Sequence, residues 1–259
     1  VEEPRLELLY FIITLLATTA GAISGFGGGI IIKPALDAMG TYDVLTIGVI
    51  SSITVLSMAT VSTAKYIKSG MKMDVNIIIL SIGAVIGGVI GKFTFELFAG
   101  AVSDGIAKVV QASILALLLI FVFFRKYYPH FKVENKILIA SAGLFMGAIS
   151  SFLGIGGGPI NIVIICMIFS SCVKDAAVYS IFVIFFSQLA SVISTAISPG
   201  LYTYDLKVLL FMIPAAVIGG FAGAHLNRKF SKHFSEIVFN TLMVSILALN
   251  VYNIVVYLL

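Results

Sequence analysis

The chain has 259 residues, 60% of them hydrophobic and 11% charged, and its mean hydropathy is +1.13. Soluble domains carry about 25% charged residues, so no single aqueous core can hide this much apolar surface, and a soluble enzyme or binding module is excluded. The net charge of +4 comes from basic residues at the ends of apolar runs, a pattern that orients helices in a membrane rather than forming a nucleic-acid patch.

Apolar runs fall at 5–24, 28–38, 44–66, 74–97 and 103–124, and again at 137–155, 157–171, 174–197, 205–227 and 235–258. A lipid-buried chain must be a helix bundle or a closed barrel. Barrel strands alternate apolar and polar over about ten residues. These runs are near-continuous and mostly about 20 residues long, which selects helices. The expected fold is all-α: a polytopic transmembrane helix bundle of about ten membrane segments, placed in the cytoplasmic membrane. The first run is of spanning length and reads as a membrane segment rather than a cleaved signal.

Residues 5–38 would make one helix of ~51 Å at 1.5 Å per residue. The hydrocarbon core is only ~30 Å thick. The stretch is therefore expected to break, and "GAISGFGGGIIIKPAL" (21–36) supplies the break at Gly27, Gly28 and Gly29. The polar stretch "FRKYYPHFKVENK" (124–136) is the natural midpoint. Beyond it, "GAISSFLGIGGGPINIVI" (147–164) repeats the break at Gly156, Gly157 and Gly158. "AVIGGVIG" (84–91) is answered by "AVIGGFAG" (216–223), and "SGMKMD" (69–74) loosely by "PGLYTYD" (199–205). Four matches in one order indicate a duplication. The expected division is an N-terminal repeat (1–126), a cytoplasmic connector (127–136) and a C-terminal repeat (137–259), together one transmembrane domain.

Charge indicates how the halves are related. If all ten runs cross, one side collects Lys65, Lys68, Lys72, Arg125, Lys126, Lys132, Lys136, Lys174, Arg228, Lys229 and Lys232, and the other Arg5, Lys33, Lys92, Lys108 and Lys207. If the short runs turn back, that bias disappears. Basic residues mark the cytoplasmic side, so five crossings per half are favoured. The repeats are then inverted, each with a Gly-broken first element, and both termini face outside.

A break inside the membrane frees backbone N–H and C=O groups, which only protein or a water-filled cavity can satisfy. Paired breaks in corresponding positions of two repeats point to a transporter's binding site. A helix N-terminus at such a break attracts anions. The glycines of "GGVIG" (87–91) and "GGFAG" (219–223) read instead as helix-packing positions.

Gly21, Gly25, Gly27, Gly28, Gly29, Pro34 and Leu36, with Gly147, Gly154, Gly156, Gly157 and Gly158 in the second half, form a doubled G-x-x-x-[GS]…G-G-G-x-x-x-x-P-x-L pattern. Pro159 directly follows the second triple, and Val163 stands where the later proline would fall. In these motifs the whole chain resembles the sulfite exporter TauE/SafE family of membrane permeases. That resemblance implies transport of sulfite, sulfonates or related sulfur oxyanions.

Lys33 lies one helical turn beyond the first triple glycine, and a lysine at membrane depth is an anion-contact candidate. Asn161 is its near counterpart, three residues past the second triple. Ser24 and Ser150 end the two "GAIS" motifs. In the third run Thr54 and Ser57 share a face with Ser51 by i, i+3 spacing; in the eighth, Ser187 shares one with Ser191, and Gln188 is the costliest polar group to bury. Lys33, Asn161, Ser24, Ser150, Thr54, Ser57, Ser187 and Gln188, with the glycines of both triples, are the candidate substrate contacts. His225 reads as an interfacial helix-end histidine, and His130 and His233 as solvated. Glu96 and Asp104 read as surface, so no carboxylate is expected within the membrane. Export of an anion would then run on voltage alone, at about 2.3 kcal/mol per charge per 100 mV.

Cys166 and Cys172 have no metal spacing and read as free thiols. There is no H-E-x-x-H, no G-x-S-x-G, and no strand ahead of "GFGGG" to make a nucleotide loop. No enzyme, metal or cofactor is expected. The expected partners are a small anion and membrane lipid, with no nucleic acid; self-association is left open. The reading is a carrier exporting small sulfur-containing anions by alternating access. The alternative is an anion channel, or a carrier for a different small anion.

Overall fold

The computed structural model describes residues 3–70, 74–129, 131–170, 173–198 and 200–258; Lys72, His130 and Cys172 lie outside them. The described residues form ten α-helices: α1 (Glu3–Ser24), α2 (Gly29–Met39), α3 (Val44–Lys68), α4 (Val75–Ala101), α5 (Asp104–Phe123), α6 (Lys136–Leu153), α7 (Gly158–Phe169), α8 (Val173–Ile197), α9 (Leu209–Lys229) and α10 (Lys232–Leu258). Eight are long and apolar enough to cross a membrane, while α2 and α7 have only 11 and 12 residues. The ten segments are thus eight full spans and two short helices. Ile82, Ile86, Phe93 and Leu97 of α4 are exposed, as a lipid-facing surface requires.

The short helices return toward the start of the helices before them. Tyr10 of α1 packs with Ile32 and Leu36 of α2, and its ring lies 6.4 Å from that of Tyr42. In the second half, the N–H groups of Phe131 and Val133, just ahead of α6, donate to the carbonyls of Met167 and Ile168 at the end of α7. α3 therefore starts at the same end of the molecule as α1, and α8 at the same end as α6.

Contacts are exchanged between the halves: α1 packs on α9, and α6 on α4. Glycines make both approaches close. A Cβ at Gly83, Gly87 or Gly91 would run into the carbonyl oxygens of Ala140, Leu144 and Ala148. Gly219 and Gly223 meet Thr18 and the Thr19 carbonyl in the same way. This backbone-to-backbone contact drives helix association in lipid, where apolar burial adds little. Both small-residue motifs therefore serve packing.

Four helices, α3, α4, α5 and α6, start on a side-chain cap. Asp43 caps α3, accepting from the N–H groups of Leu45 and Thr46, both at 3.0 Å, and from the Thr46 hydroxyl. Burial raises the Asp43 carboxyl, but those hydrogen bonds outweigh it and hold the group below its ordinary value. A lowered carboxyl stabilises the fold above its unfolded titration point, and the contribution fades as pH falls through the lowered value. Asp43→Ala is expected to cost about 1 kcal/mol near neutral pH. In thermal unfolding, the gap from wild type should close on acidification.

Three basic residues lie inside the helices α2, α4 and α5. Lys33, Lys92 and Lys108 are buried, each paired at i, i+4 with Asp37, Glu96 and Asp104 respectively. Glu96 is thus part of a helical ion pair rather than simple surface. Asp37, a carboxylate not weighed in the sequence, is buried inside the protein at 6% exposed. His233 lies in α10 rather than a loop.

Candidate functional site

The two glycine loops meet. Gly25, Gly27 and Gly28 have φ of 82°, 71° or between, and Gly154, Gly156, Gly157 and Gly158 also have positive φ. Only glycine takes up such runs without strain. A Cβ on Gly29 would lie 2.5 Å from the Ile155 carbonyl oxygen, and one on Gly158 would lie 2.9 Å from that of Phe26. Each loop's last glycine therefore rests on the backbone of the opposite loop.

Val55 of α3 and Ile184 of α8 hold the crossing together. A Cβ on Gly27 would meet Ile184 Cδ1 at 2.9 Å and Val55 Cγ1 at 3.6 Å; one on Gly156 would meet Val55 Cγ1 at 2.9 Å and Ile184 Cγ2 at 3.4 Å. The α2 and α7 N-termini open at this point. Their N-caps, Gly28 and Gly157, supply no side-chain hydrogen bond; in α2 the N–H groups of Gly29 and Ile31 donate instead to the Gly27 and Gly28 carbonyls.

The candidate side chains sort by what their donors already do. A hydroxyl has one hydrogen to give. Ser24, Thr54, Ser57 and Ser150 give theirs to the carbonyls of Ala20, Ile50, Ile53 and Met146, at 2.8, 2.7, 2.9 and 2.5 Å. Ser187 gives its own to Ile184 at 3.2 Å. In this state they can only accept, which does not suit an anion. Ser57 is half-buried and two residues from Val55, on the opposite side of α3.

Asn161 and Gln188 differ. They are 1% and 0% exposed, and both polar atoms of each amide lack a hydrogen-bond partner among the described residues. Asn161 faces Gly157 and Ser150: a Cβ on Gly157 would collide with both side chains. Gln188 lies one turn from Ile184 on the same face of α8. Buried amides are nearly always satisfied, and leaving one unpaired costs about 1–3 kcal/mol.

Sequence reasoning missed Ser151, and passed over Ser51 as a contact. Both hydroxyls are buried and have no hydrogen-bond partner among the described residues. Ser51 precedes Val55 by one turn and shares its face. Its second-half equivalent, Ser180, donates to the Gly25 carbonyl at 2.8 Å, so the equivalent bond is left open on one side only. The doubled serine in "GAISSF" was the available signal for Ser151.

Lys33 is 3% exposed, and its stem lies against the Gly154 cap of α6. Its ammonium is 3.4 Å from Asp37 Oδ2.

Two openings flank the crossing, at opposite ends of the α3–α8 pair. Where α3 ends and α8 begins, a cavity of about 390 Å³ is lined by Tyr66, Ser69, Lys174, Tyr179, Asn227 and Arg228. Its inner wall is closed by bonds to the end of α1: Tyr66 Oη donates to Ala22 O at 3.3 Å, and Asn227 Nδ2 to Ile23 O at 2.5 Å. Where α3 begins and α8 ends, only about 30 Å³ remains, between Gly48, Ser52, Ser151, Gly154, Ser191 and Thr195.

Eight spans around two broken, partly polar elements, with one wide and one narrow opening, define a multi-pass membrane transporter. The family model for "Sulfite exporter TauE/SafE" matches residues 10–250, and the chain belongs to that family. It is also similar to the "Probable membrane transporter protein YunE" of Bacillus subtilis (strain 168), at 28% identity over 252 residues, covering 86% of this chain and 89% of that one. No solved structure matches it.

Proposed function

We propose that this protein exports small sulfur-containing anions, sulfite, an organosulfonate or a related oxyanion, by alternating access, with the site at the crossing of the two glycine loops. The observation that carries the reading is the pair of buried amides with no partner among the described residues, Asn161 in the first turn of α7 and Gln188 one turn from Ile184. Amide N–H groups and helix N-termini both suit an oxyanion. The family's description names sulfite.

The equivalent helices α3 and α8 run in opposite directions, as inverted repeats require, and their exchange of partners with α9 and α4 fits a two-fold relation. Lys65, Arg228 and Lys174 cluster at the wide opening. By the basic-residue bias this is the cytoplasmic side, and the cavity reads as an entry vestibule separated from the crossing by the Tyr66 and Asn227 bonds to the end of α1. An anion binding there would leave down the voltage.

The test is saturable uptake of sulfite and methanesulfonate into proteoliposomes under an imposed voltage, with counterflow measured in parallel. Counterflow separates a carrier from a channel; no flux of either anion under voltage or a proton gradient rejects the substrate. Arg228 donates to Ser69 Oγ at 2.5 Å and Lys174 to Phe230 O at 2.7 Å, which fixes both cations at the mouth. Replacing both with alanine is expected to raise the half-saturation constant several-fold with little change in maximal rate. The difference should shrink at high salt, because exposed charges are screened.

A further inference from the structure

The Lys33–Asp37 pair is more than a structural ion pair. Asp37 uses Oδ2 for Lys33, while its buried Oδ1 has no hydrogen-bond partner among the described residues. A carboxylate fixed for structure alone would have both oxygens satisfied. The surroundings are polar, and Lys108 lies within electrostatic reach of Asp37, but its ammonium is already held by Asp104 and by the Tyr42 carbonyl. From α10, Asn250 lines the same small cavity, Asn253 donates to Pro34 O at 2.9 Å, and Tyr257 Oη donates to the Asp37 backbone carbonyl at 2.6 Å. From α5 come Gln111, whose Oε1 is also unpartnered, and Lys108, which is paired with Asp104 at 2.9 Å and lies 5.1 Å from the Tyr257 ring. Tyr10 of α1 and Tyr42 lie in the adjoining apolar cluster, and Asp43 of α3 is engaged in its cap.

Lys33 therefore has two places to serve. Its stem runs from the Asp37 cavity to Gly154, in the second glycine loop. We propose that an anion at the crossing draws the Lys33 ammonium away from Asp37, and that the Asp37 carboxylate then takes up one proton from solvent. An unpaired buried carboxylate is costly, and protonation is the cheapest relief. The proton adds to Oδ1 or Oδ2 and leaves again when Lys33 returns on anion release. This inference rests on the anion-carrier reading and adds its coupling ion. Sulfite dianion bound with one proton still carries net negative charge and keeps its outward voltage drive, whereas a sulfonate monoanion moved with one proton is electroneutral and insensitive to voltage.

The experiment uses the purified full chain, titrated with sulfite and separately with methanesulfonate, with chloride as control. Proton uptake is followed with a dye in weak buffer and by infrared difference spectroscopy. Expected are a new protonated-carboxyl C=O band, shifted in D₂O, and an apparent Kd that rises about tenfold per pH unit above the linkage point. Asp37→Glu should move the band. Asp37→Asn should abolish it and make the affinity independent of pH. If Asp37→Asn does not fold, the wild-type band and its displacement in Asp37→Glu carry the result. Absence of the band with both anions, or its persistence in Asp37→Asn, overturns the proposal. Saturable flux without the band would remove this inference alone and leave the carrier reading standing.

Discussion

Gly29→Ala is expected to abolish transport and to lower stability by about 1–3 kcal/mol, the usual cost of overpacking. The added methyl would sit 2.5 Å from the Ile155 carbonyl oxygen and 2.8 Å from Val55 Cγ2. A flexible side-chain tip could rotate away, but the carbonyl belongs to the opposite loop's backbone, so the two loops must separate. That separation shifts the α2 N-terminus relative to Asn161, and positioning errors of about 1 Å are enough to destroy a binding geometry. Gly100→Ala is the control. It is helical and has nothing within 4 Å of its added carbon, so it should leave flux unchanged and gain slightly from helix propensity. Thermal unfolding in detergent and proteoliposome flux together check the prediction. Wild-type flux in Gly29→Ala would mean that the crossing is not the site.

Asn161→Leu and Gln188→Met should separate stability from activity. Each replaces an unpartnered buried amide with an apolar group of similar size, which removes a penalty of about 1–3 kcal/mol. Both variants are expected to unfold at higher temperature than wild type. Transport should fall at least about tenfold, the effect of losing roughly one anion hydrogen bond at 1.4 kcal/mol. Such an opposition is the signature of polar groups retained for a ligand. If the variants gain stability and keep full flux, the two amides lie off the route.

Much of the architecture was legible because lipid imposes a length. The run read as 174–197 is α8 at Val173–Ile197, and 103–124 is α5 at Asp104–Phe123. Boundaries moved where charges changed the physics. α4 runs on to Ala101 because Lys92 and Glu96 satisfy one another at 3.1 Å inside the helix. α9 begins only at Leu209, since Asp205 and Lys207 remain outside it, and extends to Arg228 and Lys229, which suit a helix C-terminus.

The site was only partly legible. Doubled glycines marked the break, but no spacing reveals that Gly29 meets Ile155 or that Gly158 meets Phe26. The hydroxyl pattern could not distinguish Thr54, which spends its hydrogen on Ile50, from Ser51, which does not. The Lys33–Asp37 pair stood four residues apart in plain view. It was missed because Asp37 closes a short apolar run and reads as its polar boundary, whereas the neighbouring ends of α5 and α10 enclose it.

The exchange of partners between halves has a consequence for how the protein is made. α1 enters the membrane ahead of the helices that follow it, yet the surface it packs on belongs to α9. Its Thr18 and Thr19 wait in lipid for Gly219 and Gly223 until nearly the whole chain has been synthesised. The N-terminal half therefore has no finished interior of its own at the ribosome, and assembly is a late event in which two incomplete halves clasp each other. Cutting the chain in the 127–136 stretch would yield two fragments that are each short of partners, and co-expression would restore what neither can build by itself.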